Sequence, residues 1–231
     1  MNNKKIVIIE DEPDILEVLS YNLKREGFEV FTAINGTLGL SLIEKEMPDL
    51  VLLDLMLPGM DGIEICSTIK KNPATQKILI IMVTAKGEES DIVLGLGVGA
   101  DDYISKPFSP KELVARAKAV LRRGILVENT SQSDKVEVGD LIIDSSKFEV
   151  IIEGREVRLT ATEFRLLHYL ASNPGRVFSR EQLLSRAMGD DVVVVDRNID
   201  VHIRGIRKKM GIEPPLIETI RGVGYRLRDT T

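Results

Sequence analysis

Cysteine, tryptophan and long apolar segments are scarce in this sequence. Its 231 residues include one cysteine, no tryptophan and only 4% aromatic residues. The single Cys66 cannot form an internal disulfide, which agrees with a reducing compartment, and its place in the helical pattern IEICSTIK suggests a packing role. No segment reaches the about 18 consecutive apolar residues of a membrane span. We therefore expect a cytoplasmic protein with no membrane association.

Export and zinc signals are also missing. The N-terminal MNNKKIVIIEDE meets acidic residues after a short apolar stretch and has no small-residue cleavage site, so it predicts a strand rather than a signal peptide. The two histidines, His168 and His202, have no metal-ligating residue four positions later, which argues against a helical zinc motif.

Positive charge is concentrated near one end of an otherwise acidic chain. The net charge is −5 overall, yet residues 197–228 carry eight basic and three acidic residues, a local net charge of +5. A local positive patch of this kind favours binding to a phosphate backbone.

The hydrophobic pattern predicts two domains. Residues 1–122 alternate five short apolar runs with amphipathic stretches, which predicts a doubly wound, five-stranded parallel sheet covered by helices. The first helix is expected over about residues 14–25, with Ile15, Val18, Leu19 and Leu23 on one face. Residues 123–135 predict a linker. Residues 136–231 begin with short strands, continue with helices near 160–172, 179–187 and 196–210, and end in a hairpin that turns at 222–224.

Carboxylate, hydroxyl and ammonium side chains lie at the ends of four of the five predicted strands. Asp54 ends the buried run DLVLLD, and the carboxyl ends of parallel strands lie at one edge of a sheet, where ligand sites form. The other side chains expected at this edge are Glu10, Asp11, Glu12, Thr84 and Lys106.

This set of groups suits phosphoryl transfer. Carboxylates with water and a backbone carbonyl are the ligands that Mg²⁺ prefers, and one carboxylate would remain available as a nucleophile. A hydroxyl and an ammonium would hold the phosphoryl oxygens. The alternative is that Asp11 and Asp54 only cap helices, although convergence of several such groups makes that reading weaker.

The segment DRNIDVHIRGIRKKM predicts a helix with one apolar and one basic face. Ile199, Ile203, Ile206 and Met210 recur at helical spacing and are expected to face a core. The basic residues would then project outward, as in a helix that enters the major groove, although a solvated surface helix is the alternative. His202 either packs in the core, which we favour, or contacts phosphate.

The motifs IIEDEPD, LLDLMLPGMDG, VTAK and GADDYISKPFSPKEL resemble those of a response-regulator receiver domain. The whole chain resembles the OmpR/PhoB class of transcriptional regulators. The resemblance implies that a histidine kinase phosphorylates Asp54, that Glu10, Asp11, Asp54 and the Met56 carbonyl surround Mg²⁺, and that Thr84, Lys106 and Tyr103 form the switch. It also implies a cis bond between Lys106 and Pro107. Met56 and Lys86 occupy positions that tune phosphoryl loss, and since neither is a good base for water we expect a long-lived phosphorylated state.

The second half resembles a winged helix-turn-helix domain that binds double-stranded DNA. The residues expected to contribute are Arg197, Asn198, His202, Arg204, Arg207, Lys208 and, at the wing tip, Arg221. Gly205 departs from the resemblance, because many family members carry a basic residue there, and Met188 replaces a common tryptophan. Val192–Val195 stands at the position of a loop that contacts RNA polymerase, a short buried connector being the alternative.

Phosphorylation in this family is followed by dimerisation through the fourth helix, fifth strand and fifth helix of the receiver. The residues expected at that face are Ile92, Asp102, Glu112, Arg116, Lys118 and Arg123. Asp102 and Arg123 remain as a plausible ion pair. Ile92 and Gly97 replace charged residues, so the homodimer is expected to depend less on salt.

Two other functions use the same residues. An aspartyl-phosphate hydrolase would share Asp54 and Mg²⁺, but such phosphatases need a second acid two residues later, where this chain has Met56. A protein-binding adaptor would use the winged helix without DNA, and the local charge of +5 argues against it.

Overall fold

The chain divides into two compact units, Met1–Leu121 and Arg122–Thr231. The structure, a computed structural model, describes residues 4–85, 95, 97–126, 135–188 and 197–229, and at 85, 123–126, 187, 188, 197 and 198 it describes the backbone alone. Among these residues no helix has both the length and the hydropathy that crossing a membrane requires.

The first unit is a parallel sheet whose strands are connected by helices. Its strands are β1 (Lys5–Ile9), β2 (Glu29–Ala33), β3 (Leu50–Asp54), β4 (Leu79–Ala85) and β5 (Asp102–Lys106). Its helices are α1 (Pro13–Arg25), α2 (Gly36–Glu46), α3 (Gly62–Lys71) and α4 (Pro110–Leu126). The five strands run parallel in the order β2-β1-β3-β4-β5, which confirms the predicted doubly wound sheet.

The central strands form the core of this unit. All four apolar residues of β3, Leu50–Leu53, are fully buried, as expected for a parallel strand covered on both faces. On α1, Leu19 and Leu23 are buried, whereas Val18, which we predicted on the same face, is 45% exposed. Val18 lies about 100° round the helix from Leu19, which puts it at the edge of the apolar stripe.

The segments between the units are only partly described. The helix α4 continues to Leu126, so residues 123–126 of the predicted linker are helical, and β6 begins at Lys135. The helix predicted between β4 and β5 lies mostly outside the described residues, as does Lys86. The domain boundaries at 122 and 136 stay predictions.

The second unit is the winged helix. A four-stranded antiparallel sheet comes first, with β6 (Lys135–Val138), β7 (Leu141–Asp144), β8 (Glu149–Ile152) and β9 (Arg155–Glu156). The helices are α5 (Ala161–Ala171), α6 (Arg180–Met188) and α7 (Arg197–Met210). A second sheet has the order β10-β12-β11, formed by β10 (Phe178–Ser179), β11 (Ile217–Ile220) and β12 (Gly224–Leu227).

One hydrophobic core holds these elements together and orients α7. The face of α7 that we predicted to be apolar is buried, with Ile199, Ile203, Ile206 and Met210 at most 3% exposed. These residues belong to the same cluster as Phe164 and Leu167 of α5. The opposite face of α7 is therefore turned toward solvent.

Candidate metal centre and nucleic-acid interface

Three carboxylates converge at the carboxyl ends of β1 and β3. These strands are adjacent and in register, with Ile9 opposite Leu53. Glu10, Asp11 and Asp54 each offer one oxygen, and these oxygens lie within 4.8 Å of one another. Glu10 and Asp54 are buried, whereas Asp11 is half-buried. The sheet topology thus assembles the acidic cluster that the sequence predicted at this edge.

Neither Asp11 nor Asp54 caps a helix. The residue that precedes α1 is Glu12, whose side chain makes no capping hydrogen bond, and the cap of α3 is Asp61, which accepts a hydrogen bond from Ile63 N–H. The alternative that these two acids serve only as helix caps is therefore wrong.

Lys106 lies among the carboxylates. Its ammonium is 2.7 Å from Asp54 Oδ2, 2.9 Å from Glu10 Oε1 and 3.2 Å from Glu12 Oε1. Burial alone would lower the pKa of Lys106, but the hydrogen bonds to Asp54 and Glu10 outweigh it and the net pKa is raised. The ammonium is therefore a permanent cation in the cluster. The Lys106–Pro107 peptide is cis, as the resemblance implied.

Glu10 carries the strongest sign of an additional cation. The pKa of Glu10 is raised to about 7, because burial and, to a smaller extent, the charge of Asp54 raise it more than the hydrogen bond from Lys106 lowers it. Its second oxygen, Oε2, is buried and has no hydrogen-bond partner among the described residues. A buried carboxylate oxygen without a donor is costly, and a hard divalent cation is a partner that would satisfy it. The donor set therefore fits Mg²⁺.

Backbone packing positions Asp54. Its Oδ1 accepts a hydrogen bond of 2.9 Å from Met56 N–H, and the start of α3 packs against the Asp54 backbone. A side chain at Gly62 would collide with the Asp54 carbonyl, so glycine there allows this close approach. The Met56 side chain is 73% exposed beside the cluster.

Thr84 lies on β4, which pairs with β3, and Tyr103 lies on β5, which pairs with β4. Thr84 is buried near the end of β4 and is opposite Ser105 of β5. Tyr103 is half-buried on β5, and its pKa is raised by burial and then by the charge of Asp102. Both residues are thus on the strands that border the cluster on one side.

Several residues expected at the dimer face are engaged within the chain. Asp102 is fully buried and lies 3.4 Å from Arg116, which also pairs with Glu112 at 3.1 Å. Lys118 pairs with Glu26, at the end of α1. An intersubunit pair between Asp102 and Arg123 would therefore require Asp102 to change its surroundings.

Some predicted site residues lie outside the described part of the chain. Ile92 and Val192–Val195 are among them, as are the side chains of Arg123, Arg197 and Asn198. The structure leaves the predictions for these residues as they were.

Three of the basic side chains that we predicted to contact DNA are exposed, on α7 and at the hairpin tip. Arg204 and Lys208 of α7 are exposed, and Arg221 is exposed in the turn between β11 and β12. The exposure of these three residues is compatible with contact to a phosphate backbone, and that contact stays a prediction.

Two other residues that we assigned to DNA do not face solvent in this way. The Arg207 guanidinium donates to Ile217 O at 2.7 Å and to Thr219 Oγ1 at 2.8 Å, and thus joins α7 to β11. His202 is buried, 1% exposed, so it takes the core position that we favoured. Both side chains lie on flanks of α7 that the hairpin and the core cover.

One polar cluster was not predicted from the sequence. Tyr225 O–H donates to Asp200 at 2.8 Å, and Arg180 donates to the same carboxylate at 2.8 Å. The guanidiniums of Arg180 and Arg207 lie 5.1 and 5.6 Å from the Tyr225 ring centre. Contacts of this kind between distant segments leave no periodic signal in a sequence.

Comparisons with known proteins agree with both halves of the fold. The family model of the response regulator receiver domain matches residues 6–118, and that of the transcriptional regulatory protein C terminal matches residues 154–227. A RitR mutant structure aligns over 98% of this chain and 99% of its own, with 27% identity and a TM-score of 0.78. A CheY-like receiver domain from Methanospirillum hungatei JF-1 aligns over 52% of this chain and 95% of its own, with 36% identity and a TM-score of 0.50.

Curated relatives extend over nearly the whole chain. The phosphate regulon transcriptional regulatory protein PhoB of Rhizobium meliloti (strain 1021) is 47% identical over 225 residues, which cover 96% of this chain and 98% of the relative. The alkaline phosphatase synthesis transcriptional regulatory protein PhoP of Bacillus subtilis (strain 168) is 43% identical and covers 98% of each chain. Two domains in this order, with relatives of this identity, place the chain in the OmpR/PhoB family of two-component response regulators, which are DNA-binding transcriptional regulators.

Proposed function

We propose that Asp54 accepts a phosphoryl group from the phosphohistidine of a histidine kinase. The observation that carries this proposal is the convergence of Glu10, Asp11 and Lys106 on Asp54. An Asp54 oxygen would form a bond to phosphorus as the bond between phosphorus and the donor's histidine nitrogen breaks. Lys106 would hold the incoming phosphoryl oxygens, and Thr84 would donate its hydroxyl to them.

Mg²⁺ is the cofactor that we propose. Glu10, Asp11, Asp54 and the Met56 carbonyl would hold it, and when bound it would neutralise negative charge between the carboxylates and the phosphoryl group. The buried Glu10 Oε2, which has no hydrogen-bond partner among the described residues, supports this assignment. The donor set is all oxygen, as a hard cation requires.

Phosphorylation would then change the receiver surface. Thr84 would move toward the phosphoryl group and Tyr103 would turn inward, shifting an existing equilibrium toward the dimer. Arg116 pairs with Asp102 and Glu112 within the single chain, and exchange of these ion pairs would accompany dimerisation.

The winged helix of the phosphorylated protein would bind promoter DNA in the cytoplasm. Arg204 and Lys208 would contact the major groove from α7, and Arg221 would reach the minor groove from the wing. Arg197 and Asn198, at the start of α7, belong to the same proposed surface. Contact of Val192–Val195 with RNA polymerase remains part of the proposal.

The names of the relatives suggest which genes are regulated. The PhoB relative is named for a phosphate regulon and the PhoP relative for alkaline phosphatase synthesis. We extend the proposal to promoters that respond to phosphate supply. Mapping genomic binding of this protein in phosphate-limited and phosphate-rich cells tests the extension, and equal occupancy in both conditions would contradict it.

A direct test of the phosphorylation site uses a small phosphoryl donor. Wild type, Asp54→Asn and Asp61→Asn are incubated with acetyl phosphate and Mg²⁺ and then weighed intact. Asp61 is a matched control because it is an exposed acid nearby that only caps α3. We expect wild type and Asp61→Asn to gain one phosphoryl group and Asp54→Asn to gain none. Equal uptake by Asp54→Asn would refute the assignment.

A further inference from the structure

A buried carboxylate lies beneath the recognition helix. Glu163, in the first turn of α5, is 4% exposed. It forms a capping box with Thr160, whose backbone N–H donates to Glu163 Oε2 at 2.8 Å and whose hydroxyl accepts from Glu163 N–H. The capping box fixes the Glu163 side chain to its own helix.

The same carboxylate contacts α7 at two positions one turn apart. Lys209 Nζ donates to Glu163 Oε2 at 2.5 Å. Glu163 Oε1 is only 2.5 Å from the place where a Cβ of residue 205 would be, so the carboxylate fits there because residue 205 is glycine. Gly205 and Lys209 are four residues apart and therefore share one face of α7.

We propose that Glu163, Gly205 and Lys209 position the DNA-contacting face of α7. The inference rests on the proposed function, in which Arg204 and Lys208 contact DNA. Each of these two residues directly precedes one of the two contact points, so a rotation or shift of α7 over Glu163 would displace both side chains. Gly205, at a position where many family members carry a basic residue, thus leaves space for the Glu163 carboxylate. Lys209, one turn later, supplies the cation that pairs with this carboxylate.

Glu163→Gln separates this role from simple electrostatics. Glutamine preserves the capping box, since either Glu or Gln serves at that position, but it loses the ion pair with Lys209. Removal of an acid from a DNA-binding domain should strengthen binding if only overall charge matters. If Glu163 positions α7, Glu163→Gln should instead weaken binding, by roughly 3- to 10-fold.

The binding assay uses the phosphorylated full chain and a duplex that the wild type selects from random-sequence DNA. Titrations over a range of salt, below the melting temperature of every variant, give the affinity and its salt dependence. Lys209→Met should weaken binding as much as Glu163→Gln and leave the salt slope unchanged, because a lost phosphate contact changes that slope by about 0.9. The double variant should be no weaker than either single one, and Lys209→Arg should restore binding.

Gly205→Ala is an independent test that retains all charges. Alanine is the better helix former, yet it should weaken DNA binding because its Cβ displaces the Glu163 carboxylate. Binding by Glu163→Gln or Gly205→Ala that equals or exceeds that of wild type would overturn the inference. A reduced salt slope for Lys209→Met would also overturn it, because Lys209 would then contact phosphate directly.

Arg204→Ala and Lys208→Met distinguish this inference from the proposed function. If both bind the duplex like wild type, the proposed DNA surface is wrong and the inference fails with it. If they weaken binding while Glu163→Gln does not, the surface is supported and the inference alone is wrong.

Discussion

At the scale of single residues, the chemistry of the receiver is set by charges that are held close together at a partly buried edge of the sheet. Glu10 and Asp54 are buried beside the Lys106 ammonium, and burial raises the pKa of Glu10 to about 7. Three carboxylates near one lysine leave an excess of negative charge. A divalent cation bound here would offset this excess charge. Conversion of one carboxylate into an acyl phosphate adds negative charge, so we expect it to depend on that cation.

Met56 is expected to lengthen the life of the phosphorylated state. Its backbone N–H bonds to Asp54, while its exposed thioether cannot act as a base toward water. We predict that Met56→Glu shortens the lifetime on the order of 10-fold, because a carboxylate there can accept a proton from the attacking water. The decay of the phosphorylated fraction after donor removal, followed by intact mass, measures the lifetime.

Met47→Glu is the control for this prediction. Met47 is also exposed, but it follows α2, which ends at Glu46, and belongs to no part of the acidic cluster. Its replacement should leave the lifetime unchanged. Equal lifetimes for wild type and Met56→Glu would show that residue 56 does not control phosphoryl loss.

At the scale of secondary-structure elements, a buried ion pair joins α3 to the sheet. Lys70 Nζ lies 2.8 Å from Asp101 and donates to Ile78 O at 2.7 Å, and the two side chains are 3% and 0% exposed. Asp101 also accepts a hydrogen bond from Ile80 N–H. The pair thus connects the end of α3 with β4 and with the residue that precedes β5.

Removal of Lys70 should destabilise the receiver. We predict that Lys70→Met lowers the free energy of unfolding by about 3–5 kcal/mol, because the buried Asp101 carboxylate loses its ammonium. Urea denaturation compares it with Lys71→Met, a control at the exposed neighbouring position. If Lys70→Met lowers the free energy of unfolding by only about 0–1 kcal/mol, as expected for an exposed ion pair, the prediction is wrong.

Two arginines of α7 should separate DNA affinity from stability. Arg207 donates to the backbone and side chain of β11, whereas Arg204 is exposed. We predict that Arg207→Ala lowers the free energy of unfolding by about 1–3 kcal/mol. Arg204→Ala should retain stability and weaken DNA binding by roughly 1–3 kcal/mol. Calorimetry measures the stability of both variants, and DNA titration measures their affinity. If Arg204→Ala lost stability and Arg207→Ala lost only DNA affinity, the two assignments would be exchanged.

At the scale of the whole molecule, phosphorylation is expected to control assembly. Asp102 is buried next to Arg116 in the single chain, so an intersubunit contact of Asp102 has to compete with an internal one. Glu112, the other partner of Arg116, is exposed, and an exposed ion pair contributes only about 0–1 kcal/mol. We therefore expect the buried Asp102–Arg116 pair, rather than the Glu112 pair, to oppose the dimer until the receiver surface changes.

Sedimentation can test the predicted dimer. We expect phosphorylated wild type to dimerise with little dependence on salt, and Ile92→Asp and Asp102→Ala to weaken the dimer. Ile92→Asp places a charge in the predicted contact, and Asp102→Ala removes the acid of the predicted ion pair. Lys71→Met, on α3, serves as a control outside the predicted face. Dimers that are indifferent to both substitutions would rule out this face.

The sequence by itself determined the order of the elements and the location of the acidic cluster. Strands that are buried on both faces must be almost entirely apolar, so an acid at the end of such a run, as at Asp54, marks the sheet edge. The apolar face of α7 was also predicted from the sequence, because an α-helix has 3.6 residues per turn and its apolar residues recur at that spacing. Both signals are local, and they depend on the pattern of side chains within one element.

Only the tertiary structure decided which polar groups contact each other. The sequence places Arg204 and Arg207 together among the basic residues of α7, but the hairpin packs against one flank of that helix and engages Arg207 alone. Likewise, Asp102 is buried against Arg116 because α4 crosses β5 there, and Gly205 admits Glu163 because α5 approaches α7 at that turn. Periodicity assigns a side chain to a face, whereas its partner depends on how separate elements cross, and that crossing is set by the packing of the whole core.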